Sequence, residues 1–151
     1  MLSVKKNEIK HILKKMTVKE KASLLSALDG WNTKPIKRLG VPSISMADGP
    51  HGLRKQYSAD DLGIETSHPA TCFPTASLLA CSWDKELAEK QGAAIGEEAA
   101  DQELQIVLGP GNNIKRTPLC GRNFEYFSED PFLSGNMASG IIKGIQSRGV
   151  Y

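Results

Sequence analysis

The chain has 151 residues, 40% hydrophobic and 24% charged, a composition that suits one globular domain with a real core and argues against disorder. Nineteen basic against 17 acidic side chains leave a net charge of +2, too balanced to imply nucleic acid or an anionic membrane surface as partner. No run is long enough to cross a bilayer, and the N-terminus lacks the apolar stretch of a signal peptide.

Seven lysines (Lys5, Lys6, Lys10, Lys14, Lys15, Lys19, Lys21) crowd the first 21 residues. Apolar residues interrupt them at helical spacing, so they read as the wet face of an amphipathic helix rather than a basic arm. Ile9, Ile12, Leu13 and Met16 mark its inner face. Thr17 and Glu20 have the spacing of a capping box. A second helix is predicted from there, with Val18, Ala22 and Leu25 as its buried stripe, joined by Leu24 and Leu28, and Gly30 as its stop. Residues 31–42 form a loop. "SISMA" at 43–47 is a short strand. Residues 55–75, with two prolines and no period, form a long loop of the kind that often carries function. Asp84 caps a helix over 85–104 with Leu87, Ala94, Ile95 and Ala99 on its apolar face. "IVLG" at 106–109 is a buried strand. Asp130 with Pro131 opens a last helix, with Leu133, Met137, Ile141 and Ile145 inward and Gly149 at its end. "VY" begins one more strand. Strands alternating with helices predict an α/β fold with a parallel sheet and helices outside, and in such folds the loops after the strands hold the sites.

Two loops follow strands. The first, "MADGPHGLR" at 46–54, offers Asp48, His51 and Arg54. Asp48 at a strand end can accept hydrogen bonds from ligand hydroxyls, or it can cap its own turn, with His51 and Arg54 as surface or packing residues. The second offers Lys115, Arg116, Arg122 and Glu125. The five fixed donors of Arg122 suit carboxylates, phosphates or paired sugar hydroxyls, and Glu125 three residues on can orient them or form a structural ion pair. Phe124, Tyr126 and Phe127 read as core, with sugar stacking as the alternative. Gly109 and Gly111 do not complete a dinucleotide fingerprint, because the third glycine of GxGxxG is missing. Cys72, Cys81 and Cys120 are odd in number and widely spaced, fitting neither a disulfide framework nor a CxxC metal site; they read as reduced thiols of a cytoplasmic protein. No metal site is predicted.

The stretches "MADGPHGLR", "CFPTASLLACSWD", "IVLGPGNNIKRTPLCGRNFEYFSEDPFLSG" and "GIIKGIQSRGV" resemble, in order and spacing, the N-terminal domain of glycoside hydrolase family 3, especially its bacterial β-glucosidases. The similarity runs from about Met16 to Val150, and its longest motif, "GRNFEYFSEDP", is specific. It implies the first half of a TIM-type (β/α) barrel over residues 17–151, preceded by a helical extension over 1–16. It also implies retaining hydrolysis of terminal β-linked glucosyl residues, without a cofactor, on β-glucoside or oligosaccharide substrates. By resemblance, Asp48 binds hydroxyls of the terminal sugar and Arg122 reaches into the same subsite. His51, Arg54 and Glu125 support those loops.

The chain departs from that pattern at the chemistry. Retaining hydrolysis needs two carboxyl groups across the scissile bond. The family nucleophile is an aspartate followed by tryptophan, and this sequence has no Asp-Trp pair. The family acid/base glutamate lies in a second domain, and a lysine-histidine pair of the sugar subsite follows the matched region. The length also falls short of the ~250 residues typical of a whole barrel. No catalytic residue is therefore assigned here, and the remainder of the enzyme is expected beyond Tyr151. The alternative is an inactive carbohydrate-binding or interaction remnant of such an enzyme.

Overall fold

The structure is a computed structural model that describes residues 6–58, 60–61 and 66–151. It opens with α1 (Lys6–Lys15). Met16 just beyond it is buried, whereas Ile9 and Leu13 stay nearly half exposed. The capping box forms: Thr17 Oγ1 accepts from the Glu20 N–H at 3.2 Å, and Glu20 Oε2 accepts from the Thr17 N–H at 2.8 Å.

The helix it starts, α2 (Val18–Ser23), is shorter than predicted and buries no residue. Val18 is 84% and Leu25 92% exposed, so the expected stripe is not a core face. Two local bonds explain the early stop. Ser23 Oγ donates back to the Glu20 carbonyl at 2.7 Å, a bond that competes with helix continuation. The Asp29 carboxylate then accepts from the Trp31 and Asn32 N–H groups, both at 2.8 Å, and turns the chain at Asp29 rather than leaving Gly30 to end a helix.

Two parallel strands follow: β1 (Met46–Asp48) and β2 (Ile106–Leu108), with Met46 opposite Ile106, Ala47 opposite Val107 and Asp48 opposite Leu108. Strand β1 begins later than predicted and includes Asp48. On the other edge of β2, Tyr151 N–H donates to the Gln105 carbonyl at 2.9 Å, and Val107 N–H donates to the Tyr151 carbonyl at 2.8 Å. Tyr151 thus pairs with β2 on both its N–H and its carbonyl, although 150–151 do not form a strand of their own.

Between the strands lie α3 (Ala76–Ala80) and α4 (Lys85–Asp101); α5 (Pro131–Ser147) follows β2. Asp84 caps α4 and Asp130 caps α5, with Pro131 in the first turn. Helix α3 was not foreseen; five residues are too few to display a helical period. The core gathers Ala47 and Val107 from the sheet with Ile95, Ala99, Met137, Ile141 and Ile145 from the two long helices. Leu87, expected inward on α4, is 43% exposed. The face α4 buries instead is Ala88, Gln91, Gly92, Ile95, Gly96 and Ala99, because it meets α5 along small residues. A methyl group on Gly92 would stand 2.3 Å from the Ile141 carbonyl oxygen, so the helices touch backbone to backbone.

Candidate functional site

Strand β1 delivers Asp48 at its C-terminal end, and the chain then reverses at once. Gly49 and Gly52 adopt φ of +134° and +142°, a region L side chains rarely enter. Neither has room for a side chain: a Cβ on Gly49 would meet the Gly52 carbonyl oxygen at 2.2 Å, and one on Gly52 the Thr71 carbonyl oxygen at 2.2 Å. The reversal lets Arg54 N–H donate to the Asp48 carbonyl at 2.8 Å. The Asp48 side chain is exposed. Its Oδ1 accepts from the Gly49 N–H at 3.0 Å, while no described residue bonds Oδ2. The aspartate caps its own turn with one oxygen and holds the other toward solvent. Oδ1 thus makes the turn-closing bond that one of the two readings of this residue expects.

His51 lies half-buried behind it. Its Nε2 accepts from the Ala76 N–H at the start of α3 at 2.9 Å, and its carbonyl accepts from the Phe73 N–H at 2.7 Å. An Nε2 that accepts carries no proton, so the neutral ring holds its hydrogen on Nδ1. Burial pushes the imidazole pKa down, against the opposing pull of the Glu125 carboxylate.

The second loop reaches the same place. A 3₁₀ turn (Asn123–Glu125) follows Arg122. Arg122 Nε donates to Glu125 Oε1 in an ion pair whose carboxylate is 14% exposed and whose guanidinium is 73% exposed. The bond to Glu125 holds the guanidinium pKa above its ordinary value, with smaller pulls from Tyr126 and Asp48. Only Nε is used; the terminal amino groups of Arg122 bond no described residue. Phe127 enters the core as expected, but Phe124 is 56% exposed and tilts over His51 with ring centroids 6.3 Å apart.

Asp48, His51, Arg54, Thr71, Phe124 and Glu125 line a cleft of about 370 Å³, within the range of small-ligand pockets, roughly 300–1,000 Å³. Arg122 does not line this cleft; it is held beside it by Glu125, which does. Lys115 points away: its Nζ donates to Ser77 Oγ on α3 at 2.6 Å. Ser77 carries no chemical signature in sequence, yet it joins α3 to the second loop, because its Oγ also lies 3.2 Å from the Asn123 and Tyr126 carbonyl oxygens.

The family model described as "Glycosyl hydrolase family 3 N terminal domain" matches residues 3–151. The "Thermostable beta-glucosidase B" of Acetivibrio thermocellus is 63% identical over 144 residues, which are 95% of this chain and 19% of that protein. An "Exo-alpha-(1->6)-L-arabinopyranosidase" of Bifidobacterium longum is 50% identical over 91% of this chain and 18% of its own length. Among solved structures, the β-glucosidase of Kluyveromyces marxianus in complex with glucose superposes with a TM-score of 0.85 at 40% identity, over 92% of this chain and 16% of that one. The chain thus spans about a fifth of the length of the curated relatives it matches. Its parallel strands with outer helices are part of the TIM-type barrel of these neighbours. By sequence and by fold, the chain belongs to glycosyl hydrolase family 3, as part of its N-terminal domain.

Proposed function

We propose that the cleft lined by Asp48 and Glu125, with Arg122 held beside it by Glu125, binds the terminal sugar of a β-glucoside for retaining hydrolysis, with His51, Arg54 and Glu125 supporting the two loops. One observation carries this reading. Asp48 Oδ2 and the terminal amino groups of Arg122, all without bonds to described residues, belong to loops that follow adjacent parallel strands and meet at one cleft. A carboxylate accepts from sugar hydroxyls and a guanidinium donates to them, and such charge-assisted contacts are worth about 1.5–3 kcal/mol each. The two carboxyl groups that break the bond are not assigned to this chain, so its part is to bind and orient. The glucose in the Kluyveromyces neighbour and the β-glucosidase names of the relatives support glucose as the sugar.

Ligand-observed NMR on the 151-residue chain tests the binding role. Glucose should give saturation-transfer signals that Asp48→Asn and Arg122→Met each abolish while the amide spectrum stays folded. Equal signals from wild type and both variants would place the sugar elsewhere. A parallel titration with L-arabinopyranose reads the sugar: a stronger response than to glucose would overturn the glucosidase assignment in favour of the activity named for the Bifidobacterium relative.

A further inference from the structure

We propose that His51 is a positioning residue: its neutral ring, accepting from the Ala76 N–H, ties the Asp48 loop to α3 and, through Ser77, to the turn that carries Arg122 and Glu125. The contacts form a continuous path. His51 Nε2 holds Ala76 at the first position of α3. One residue on, Ser77 Oγ contacts the carbonyl oxygens of Asn123, Phe124 and Tyr126 at 3.2–3.3 Å and accepts from Lys115 Nζ. The path therefore spans the separation between Asp48 and Arg122, which no direct bond between those two side chains fixes. Phe124 closes it by packing against the His51 ring.

The tie holds in one protonation state only. A proton on Nε2 turns the acceptor into a donor facing another donor, and the Ala76 N–H loses its partner. Among the described residues, the titratable groups that line the cleft with the ring are Glu125 from the turn, Asp48 and Arg54 from its own loop, and Cys72 from the segment before α3. Helix α3 contributes none within Ala76–Ala80. Loosening of the tie should follow acidification below the ordinary imidazole range and leave the distant α4–α5 seam untouched. The consequence for sugar affinity rests on the reading of the cleft above; the tie itself can be measured with no sugar present, so the two stand or fall separately.

The test is hydrogen exchange by mass spectrometry on the full chain, corrected for intrinsic rates, between about pH 7.5 and about pH 4, either side of the ordinary imidazole value. Peptides are read from the 123–126 turn, from α3 and from α4. In wild type, the turn and α3 should lose protection together on acidification, by roughly fivefold for the loss of one hydrogen bond, while α4 stays constant. His51→Gln keeps an acceptor oxygen near the Nε2 position and does not titrate, so its turn should stay protected throughout; it also controls for carboxylates titrating in the same range. His51→Phe should leave the turn loose at every pH. In Ser77→Ala the α3 response should persist while the turn stops following it. Three results would overturn the proposal: a turn indifferent to pH in wild type, the same pH response in His51→Gln, or a loss of protection that extends to α4.

Discussion

Gly144 on α5 lies against Glu89 on α4 with no room for a side chain: a Cβ there would stand 2.2 Å from the Glu89 carbonyl oxygen and 2.4 Å from the Ala93 nitrogen. Both are backbone atoms of a helix and cannot swing aside. Gly144→Ala should therefore push the two helices apart and cost about 1–3 kcal/mol, the range for overpacking. Gly135, on the same helix, is exposed and has nothing within 4 Å of a built Cβ. Gly135→Ala should stabilise by about 0.5–1 kcal/mol through helix propensity. Urea denaturation of the pair checks both signs; equal effects would mean that the seam is not tight.

Glu20 ties the capping box to Arg38. Arg38 Nη2 donates to Glu20 Oε2 at 2.7 Å and to the Lys15 carbonyl at 3.0 Å. The bond from Arg38, followed by that from the Thr17 N–H, lowers the Glu20 pKa from 4.5 to about 2. As pH falls, the unfolded chain takes up this proton first. The stability Glu20 contributes is fully present above about pH 4.5 and is lost on acidification toward pH 2. Wild type should melt above Glu20→Gln at neutral pH, with the gap closing across that window. The gap should be small, because solvent screens an exposed pair. A gap that persists unchanged at pH 2 would contradict the assignment.

Glu125 holds Arg122 by Nε and leaves its terminal amino groups open. Glu125→Gln should keep the fold but release the guanidinium, weakening sugar binding less than Arg122→Met does, since the donors remain and only their orientation is lost. Ligand titration of the two variants orders them. If Glu125→Gln has the larger effect, the carboxylate itself touches the ligand.

What the sequence revealed of the fold was whatever repeats or caps. Asp84, Asp130 with Pro131, and the Thr17–Glu20 box each satisfy orphan helix N–H groups through short-range geometry, and each is where its spacing predicts. The Met137, Ile141 and Ile145 face is buried for the same reason of period. The α2 stripe failed because hydrophobicity says which face could be buried, not what covers it, and Val18 and Leu25 meet no such cover among the described residues. The α4 seam was misread at Leu87 because its contact is made by glycines and alanines, which a hydrophobic pattern underweights. At the site, Asp48 and Arg122 stand out as chemistry in a loop, whereas Ser77 gains its role only from the packing of α3 against the second loop.

The measurement that bears most directly on the central claim is steady-state kinetics on a chimera. This chain would replace the matching 144 residues of the Acetivibrio relative, to which it is 63% identical. The chimera should hydrolyse an aryl β-glucoside. Asp48→Asn within it should lower kcat/KM by roughly two to three orders of magnitude, with part of the loss in kcat, because contacts from a carboxylate to sugar hydroxyls tighten as the ring flattens toward the oxocarbenium ion. Its melting temperature should stay near that of the parent, since the side chain is exposed and keeps its turn-capping oxygen. Near-parental kinetics in Asp48→Asn would show that the aspartate only closes its turn and would contradict the account.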